Sequence, residues 1–363
     1  MEEKTMKRNR FFALCLAFVM TLSLAACGNS EVPADSAPAE LEEPKSSENP
    51  QLEVLEWNLA ATLAEDHPMT IALNAFADAF AEETAGRVQI KVYPNMMLGS
   101  ETEQVEMARA GTAAMVVGGL STLAVYDDGL SVYSLPYIFR SYDDCEEYLS
   151  DSEYGDNIWE SFRQLTNLRF VALELNGARC LSTKNVQVQS VKDLNGVKIR
   201  CMDAPLWQDV FTAFGAVPVP IAFTELYVAL QTGVVEGQDN PINVSYAQKF
   251  YEVQKNIYKT EHNYNTTFVL INDDCWNQLT ADEQAVFNDL VDEYLYDYYY
   301  ELYWPYEGEA IQVMEEAGVR IWEQDEFDIQ SFWDAADGMI NEKYMTNAAY
   351  ADSINSIREY FQY

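Results

Sequence analysis

Histidine and positive charge are what this chain has least of. Its 363 residues include only two histidines, His67 and His262, and 22 lysines and arginines against 59 aspartates and glutamates. The resulting formal net charge of −37 makes nucleic acid and anionic membrane surfaces poor partners. It does not exclude an anionic small ligand. Screening over about 8 Å at physiological salt leaves a carboxylate inside a cleft answering to its nearest guanidinium and dipoles. Neither His-Glu-x-x-His nor Gly-x-Ser-x-Gly occurs, so no zinc-hydrolase helix or nucleophile elbow marks an active site. The six cysteines form no Cys-x-x-Cys pair, which with so little histidine argues against a structural zinc site. Internal repeats and heptads are missing as well. No metal, cofactor or catalytic residue is expected, although a carboxylate dyad stays open among so many acids.

One long apolar run is present, at the N-terminus. Lys4, Lys7, Arg8 and Arg10 precede Phe11 to Met20, and Leu24-Ala25-Ala26-Cys27-Gly28 comes next. This is the pattern of a signal peptide over residues 1–26 with a lipobox, too short for a permanent span. Cleavage would leave Cys27 to carry lipid, and acyl chains gaining about 0.8 kcal/mol per buried CH₂ would hold the protein on the outer face of the plasma membrane. Residues 27–50, rich in Ser, Glu, Pro, Ala and Asn, read as a disordered tether. The chain beyond residue 50 is long for one compact domain and suits two lobes.

From Val54 onward, apolar periodicity alternates between strand and helix, which implies an α/β fold with helices on both faces of a sheet. Strands are expected at Val54–Ala60, Val88–Tyr93, Ala114–Gly118, Leu168–Leu175, Gly196–Met202 and Val217–Ile221. Helices are expected at Pro68–Thr84, Glu101–Arg109, Trp207–Phe214 and Thr224–Thr232, with Thr224 as a cap. Thr280 should cap one long helix reaching about Glu316, kinked at Pro305, whose tyrosines form a half-buried face. Cys180 and Cys201 directly follow Arg179 and Arg200. Strand alternation would turn both thiols to the face opposite the arginines, leaving a disulfide or two buried free thiols as the alternatives.

Gly196 to Pro241 carries the most information. Gly196-Val197-Lys198-Ile199-Arg200 is followed by Gly215-Ala216-Val217-Pro218-Val219-Pro220, then Glu225-Leu226-Tyr227-Val228-Ala229-Leu230-Gln231, then a polar turn at Gly237-Gln238-Asp239-Asn240-Pro241. These four motifs in order resemble the extracytoplasmic solute-binding proteins of TRAP transporters, the C4-dicarboxylate receptors among them. Gly86-Arg87-Val88-Gln89-Ile90, Leu135-Pro136-Tyr137-Ile138-Phe139 and Lys249 to Lys255 extend the likeness over nearly the whole mature chain. The resemblance implies a two-lobed clamp of the periplasmic-binding-protein kind, with a long helix linking both lobes. Lobe I would be residues 51–176 with 265–305, and lobe II 177–264 with 306–363, crossing near Asn176 and Tyr264.

A guanidinium grips a carboxylate through paired N–H groups and stays protonated at neutral pH, so Arg200 is the expected ligand anchor. The resemblance adds Arg179 as a second contact or a hinge brace, Asn240 as an amide contact or turn residue, and Phe223 against the ligand's carbon skeleton. It adds Glu101 toward hydroxyls or amines. Asp203 lies where Cys201 and Met202 also depart from the family pattern, and an acid there would favour an amine or several hydroxyls. Glu65, His67, Tyr137 and Trp207 are lesser candidates with ordinary structural readings. The implied function is a monomeric, lipid-anchored receptor that captures an organic acid and delivers it to TRAP permease subunits in the membrane. A sensor signalling to a receptor kinase and a secreted enzyme are the alternatives.

Overall fold

Alternating apolar residues in Leu55–Ala60 start the first of two sheets. The computed structural model describes residues 53 to 362; the signal peptide, Cys27 and the tether lie outside the described residues. The first sheet takes β1 (Leu55–Ala60), β2 (Val88–Tyr93), β3 (Met115–Gly119) and β4 (Leu168–Ala178). The chain then builds a second sheet from β5 (Cys180–Thr183), β6 (Lys198–Cys201), β7 (Val217–Pro220), β8 (Gly237–Asn240) and β9 (Asn256–Tyr258). It returns as β10 (Tyr264–Asn272) and adds β11 (Arg320–Trp322) to the second sheet. The orders are β2-β1-β3-β10-β4 and β11-β9-β5-β8-β6-β7. β1 is parallel to β2 and β3, while β10 runs antiparallel between β3 and β4.

The chain crosses between the sheets at Ala178–Cys180 and at Tyr258–Tyr264, and a third time along the helical stretch between β10 and β11. Gly177 takes φ +97° just before the first, and a Cβ there would meet Pro241 Cβ at 2.8 Å and the Tyr303 hydroxyl at 2.9 Å. Only glycine fits such a bend without strain. One apolar cluster runs through both halves, joining Val116, Leu173 and Phe268 of the first sheet to Ile199, Trp207 and Phe211 of the second. A second cluster packs the helix Pro68–Glu83 and the tyrosines Tyr296, Tyr299 and Tyr303 on the other face of the first sheet. The C-terminal helix Ala348–Phe361 returns to the first half, its Tyr360 edge-on to Tyr148 and its Phe361 edge-on to Phe139.

Helix starts follow their capping chemistry. Ser100 and Glu103 form a capping box at Glu101–Arg109, and Thr280 with Glu283 does the same at Ala281–Leu290. Three expectations are corrected, and the choice left open for the two cysteines is decided. The single long helix is instead Ala281–Leu290, a wider π-wound segment Val291–Tyr298, and Tyr299–Glu316 with Pro305 inside it. Thr224 is not a cap: Phe223–Glu225 forms a 3₁₀ turn that runs straight into Leu226–Thr232. Gly237–Asn240 is a buried strand and not a turn. Finally, Cys180 and Cys201 are both free. β8 lies between their strands, a spacing of roughly 9–10 Å that no disulfide spans. Their thiols also face apart, Cys180 into a cluster with Ile257 and Met314, Cys201 into the shared core.

His67 caps the helix Pro68–Glu83, its Nδ1 accepting from Met69 N–H at 3.2 Å. The ring is fully buried edge-on to Tyr306, and burial lowers its pKa from 6.5 to about 3. The unfolded chain therefore takes up a proton that the folded chain refuses. Stability present above pH 6.5 should fall with decreasing pH by about 1.4 kcal/mol per pH unit. Urea unfolding at pH 6.5, 5.75 and 5.0 checks this: H67N, which keeps a capping oxygen, should show a shallower loss than the wild type. Parallel curves would show that His67 does not carry the effect.

Candidate functional site

At the first crossing the chain must bury Arg179, and it does so against an acid on β8. Arg179 is 2% exposed. Its Nε donates to Asp239 Oδ2 at 2.5 Å, its Nη2 to the Asp239 carbonyl at 2.6 Å, and its Nη1 to Asn265 Oδ1 at 3.3 Å. The antiparallel register of β5 on β8 pairs Leu181 with Asp239, so Arg179, two residues back on the same face, meets that carboxylate. Burial pushes the Asp239 pKa upward, but the Arg179 charge and the His262 hydrogen bond outweigh it and hold the carboxyl well below the ordinary range. His262 Nε2 lies 3.3 Å from Asp239 Oδ2, and its Nδ1 lies 2.9 Å from Thr260 Oγ1. The guanidinium also stacks 4.8 Å from the Trp207 ring centre.

Arg200 is the opposite case. It too is buried, at 3% exposed, yet its one hydrogen bond among the described residues is Nε to the Ile221 carbonyl at 2.9 Å. No carboxylate pairs with it there, which leaves both Nη groups for a ligand. Desolvation is the main reason its pKa falls to about 10; Asp239 opposes this and Arg179 adds to it. Ile199 and Cys201 point into the shared core, so alternation sends Arg200 to the other face. There its guanidinium lies 5.9 Å from the Phe223 ring, and Phe223 in turn is edge-on to Phe250. Asn240 is buried at the end of β8, its Nδ2 donating to Gln238 Oε1.

The first half contributes Glu101. From the start of its helix the carboxylate accepts the Gly119 N–H at the end of β3 and bonds Thr122. Burial raises its pKa, and those two bonds partly offset the rise. Asp203 is exposed in the turn between β6 and the helix Pro205–Ala213. The strand ends at Cys201, so nothing turns Asp203 inward, and the structure does not bring it into the buried array. Of the lesser candidates, Glu65 is exposed, Tyr137 donates from its hydroxyl to the Thr260 carbonyl at 3.0 Å, and Trp207 is buried. Asp239, Thr260, His262 and Asn265 were not foreseen. The signal available for Asp239 was Arg179 itself, since a buried cation at a sheet crossing demands an acid.

Residues 59–347 match the family model described as bacterial extracellular solute-binding protein, family 7. The chain is 29% identical over 290 residues to the 2,3-diketo-L-gulonate-binding periplasmic protein of Escherichia coli (strain K12), covering 80% of this chain and 87% of that protein. It is 31% identical over 220 residues to a solute-binding protein of Roseobacter denitrificans, covering 61% of this chain and 67% of that one. Among solved structures, a TRAP periplasmic solute-binding protein of Chromohalobacter salexigens with bound D-glucuronate superposes with TM-score 0.79 at 25% identity, covering 84% of this chain and 99% of that one. A second from Citrobacter koseri, also with D-glucuronate, gives 0.75 at 27%, covering 83% and 99%. The two-sheet α/β fold is thus one that solved TRAP periplasmic solute-binding proteins share, and the chain belongs to family 7 of the bacterial extracellular solute-binding proteins, the extracytoplasmic solute receptors of TRAP transporters.

Proposed function

We propose that this receptor captures a sugar acid, an organic acid with one carboxylate and several hydroxyls, and that Arg200 anchors the carboxylate. The observation that carries this reading is the contrast between the two arginines. Arg179 is committed to Asp239 and Asn265, while Arg200 keeps a buried guanidinium with no acid partner among the described residues. One free fork suits one carboxylate. Phe223 offers a ring to the carbon skeleton, and Glu101, Thr122 and Asn240 supply the polar groups that hydroxyls need. The D-glucuronate bound by the Chromohalobacter and Citrobacter proteins supports the same class. The work is binding without covalent chemistry: His262 is occupied on both nitrogens by Thr260 and Asp239. Delivery is to TRAP permease subunits, with the lipobox at Cys27 holding the receptor at the membrane through acyl chains.

Isothermal calorimetry with D-glucuronate tests the anchor. Truncating one partner of a buried, charge-paired contact costs about 2–5 kcal/mol, so R200A should weaken binding roughly 30- to 4000-fold with its melting temperature retained. Unchanged affinity would remove Arg200 from the site. In a thermal-shift panel, D-glucuronate and D-galacturonate should stabilise the protein more than succinate, a saturating ligand at 100 times its Kd adding about 2.7 kcal/mol. D239N makes the complementary case. It leaves Arg179 buried without its counter-charge and should cost about 3–5 kcal/mol of unfolding free energy without any ligand; a loss below about 1 kcal/mol would show that the pair is dispensable.

A further inference from the structure

The indole of Trp207 touches both halves of the molecule. It sits on the helix Pro205–Ala213, which follows β6 directly, and is 1% exposed. The Arg179 guanidinium lies over its ring and His262 meets it edge-on at 6.1 Å. Its Nε1 reaches out of the second half and donates to Ser121 Oγ at 2.9 Å. Ser121 belongs to the short helix Leu120–Leu123 that follows β3 of the first sheet. Gly119, at the start of that same turn, is held by the Glu101 carboxylate.

An indole has one donor and no acceptor. Ser121 therefore takes the only hydrogen bond this side chain can make, and a buried donor left unmatched is costly. The Arg179–Asp239 pair joins the crossing segment itself to β8 and can persist whether the halves are open or shut. The Trp207–Ser121 bond cannot, because its two atoms belong to opposite sides of the crossing strands.

We propose that Trp207 is a closing latch: its Nε1–H engages Ser121 when the two halves come together, and the bond slows their reopening around the ligand. Arg179, held rigid by Asp239, sets the plane of the indole so that the donor meets the first half at Ser121. Trp207 is thus a positioning residue for ligand retention. The inference rests on reading the chain as a receptor that closes on its ligand, but not on which residue anchors the carboxylate.

The test is a double-mutant cycle on ligand release. D-glucuronate dissociation is measured by stopped flow in wild type, W207F, S121A and the double variant. Phe keeps one aromatic ring but loses the donor together with the fused pyrrole ring, whereas S121A removes only the acceptor. Each single variant should speed release roughly two- to tenfold, the double variant no more than either single one, with association rates unchanged. A contact made permanently would instead lower the melting temperature of the ligand-free variants as much as that of the liganded ones. In parallel, spin labels at exposed Thr102 and Glu225, one on each half, report the separation of the halves. S121A should shift that distribution toward longer distances, in free protein and with D-glucuronate. Additive or absent rate effects, or distance distributions identical to wild type, would overturn the latch. If R200A binds like wild type, the anchor is wrong while the cycle still reads the latch; if D-glucuronate binds no form, the distances decide.

Discussion

The buried pair of Arg179 and Asp239 is the interaction on which the rest of the site depends. Two charges taken out of water repay their desolvation only when the geometry is close and the remaining lone pairs and protons are matched. Here the matching is done by the crossing itself. Arg179 Nη1 reaches Asn265 on β10, His262 braces Asp239 from the return segment, and Thr260 holds His262 while accepting the Leu181 N–H. Two of the connections between the sheets are thereby tied to one carboxylate. Gly177 completes the arrangement by letting the chain bend against Pro241 and Tyr303.

How much of this could be read beforehand varied with the source of the signal. β2 and the helix Glu101–Arg109 matched their expected limits because apolar period and capping residues agree locally there. β8 could not be read that way. Gly237–Asn240 contains no apolar side chain, and a four-residue polar stretch ahead of a proline reads as a turn. It becomes a strand because its side chains find partners from distant sequence: Gln238 donates to Ser182, and Asp239 takes Arg179 sixty residues away. The same limit explains the thiols. Alternation correctly set each cysteine opposite the arginine before it, but only the order of strands shows that the two arginines leave the sheet on different faces. β5 and β6 both neighbour β8, one antiparallel and one parallel, and that is a tertiary fact.

Glu101 shows how an acid can serve an acidic chain that binds an acid. Its carboxylate is turned into the Gly119–Thr122 segment, where a backbone N–H and a hydroxyl occupy it. Burial raises its pKa, so its negative charge is disfavoured. The chain's surplus of carboxylates lies elsewhere, on solvated helix faces, and at physiological salt it is screened within about a Debye length. Local groups therefore decide what the site attracts.

With Arg200 as the proposed anchor, its burial would store the driving force. A guanidinium in water keeps its full affinity for a proton, whereas this one is lowered to about 10 by desolvation. That difference corresponds to roughly 3 kcal/mol by which burial disfavours the charged form, and since arginine remains protonated at neutral pH, the folded protein carries the cost. Arg179 has Asp239 as its counter-charge; Arg200 has no such acid among the described residues, only the Ile221 carbonyl on Nε. A ligand carboxylate that supplies two charge-assisted hydrogen bonds in the plane of the guanidinium cancels a penalty already present in the free receptor. An acid placed permanently beside Arg200 would stabilise the fold and remove that gain, so on the proposed reading the missing partner is what suits Arg200 to a ligand carboxylate.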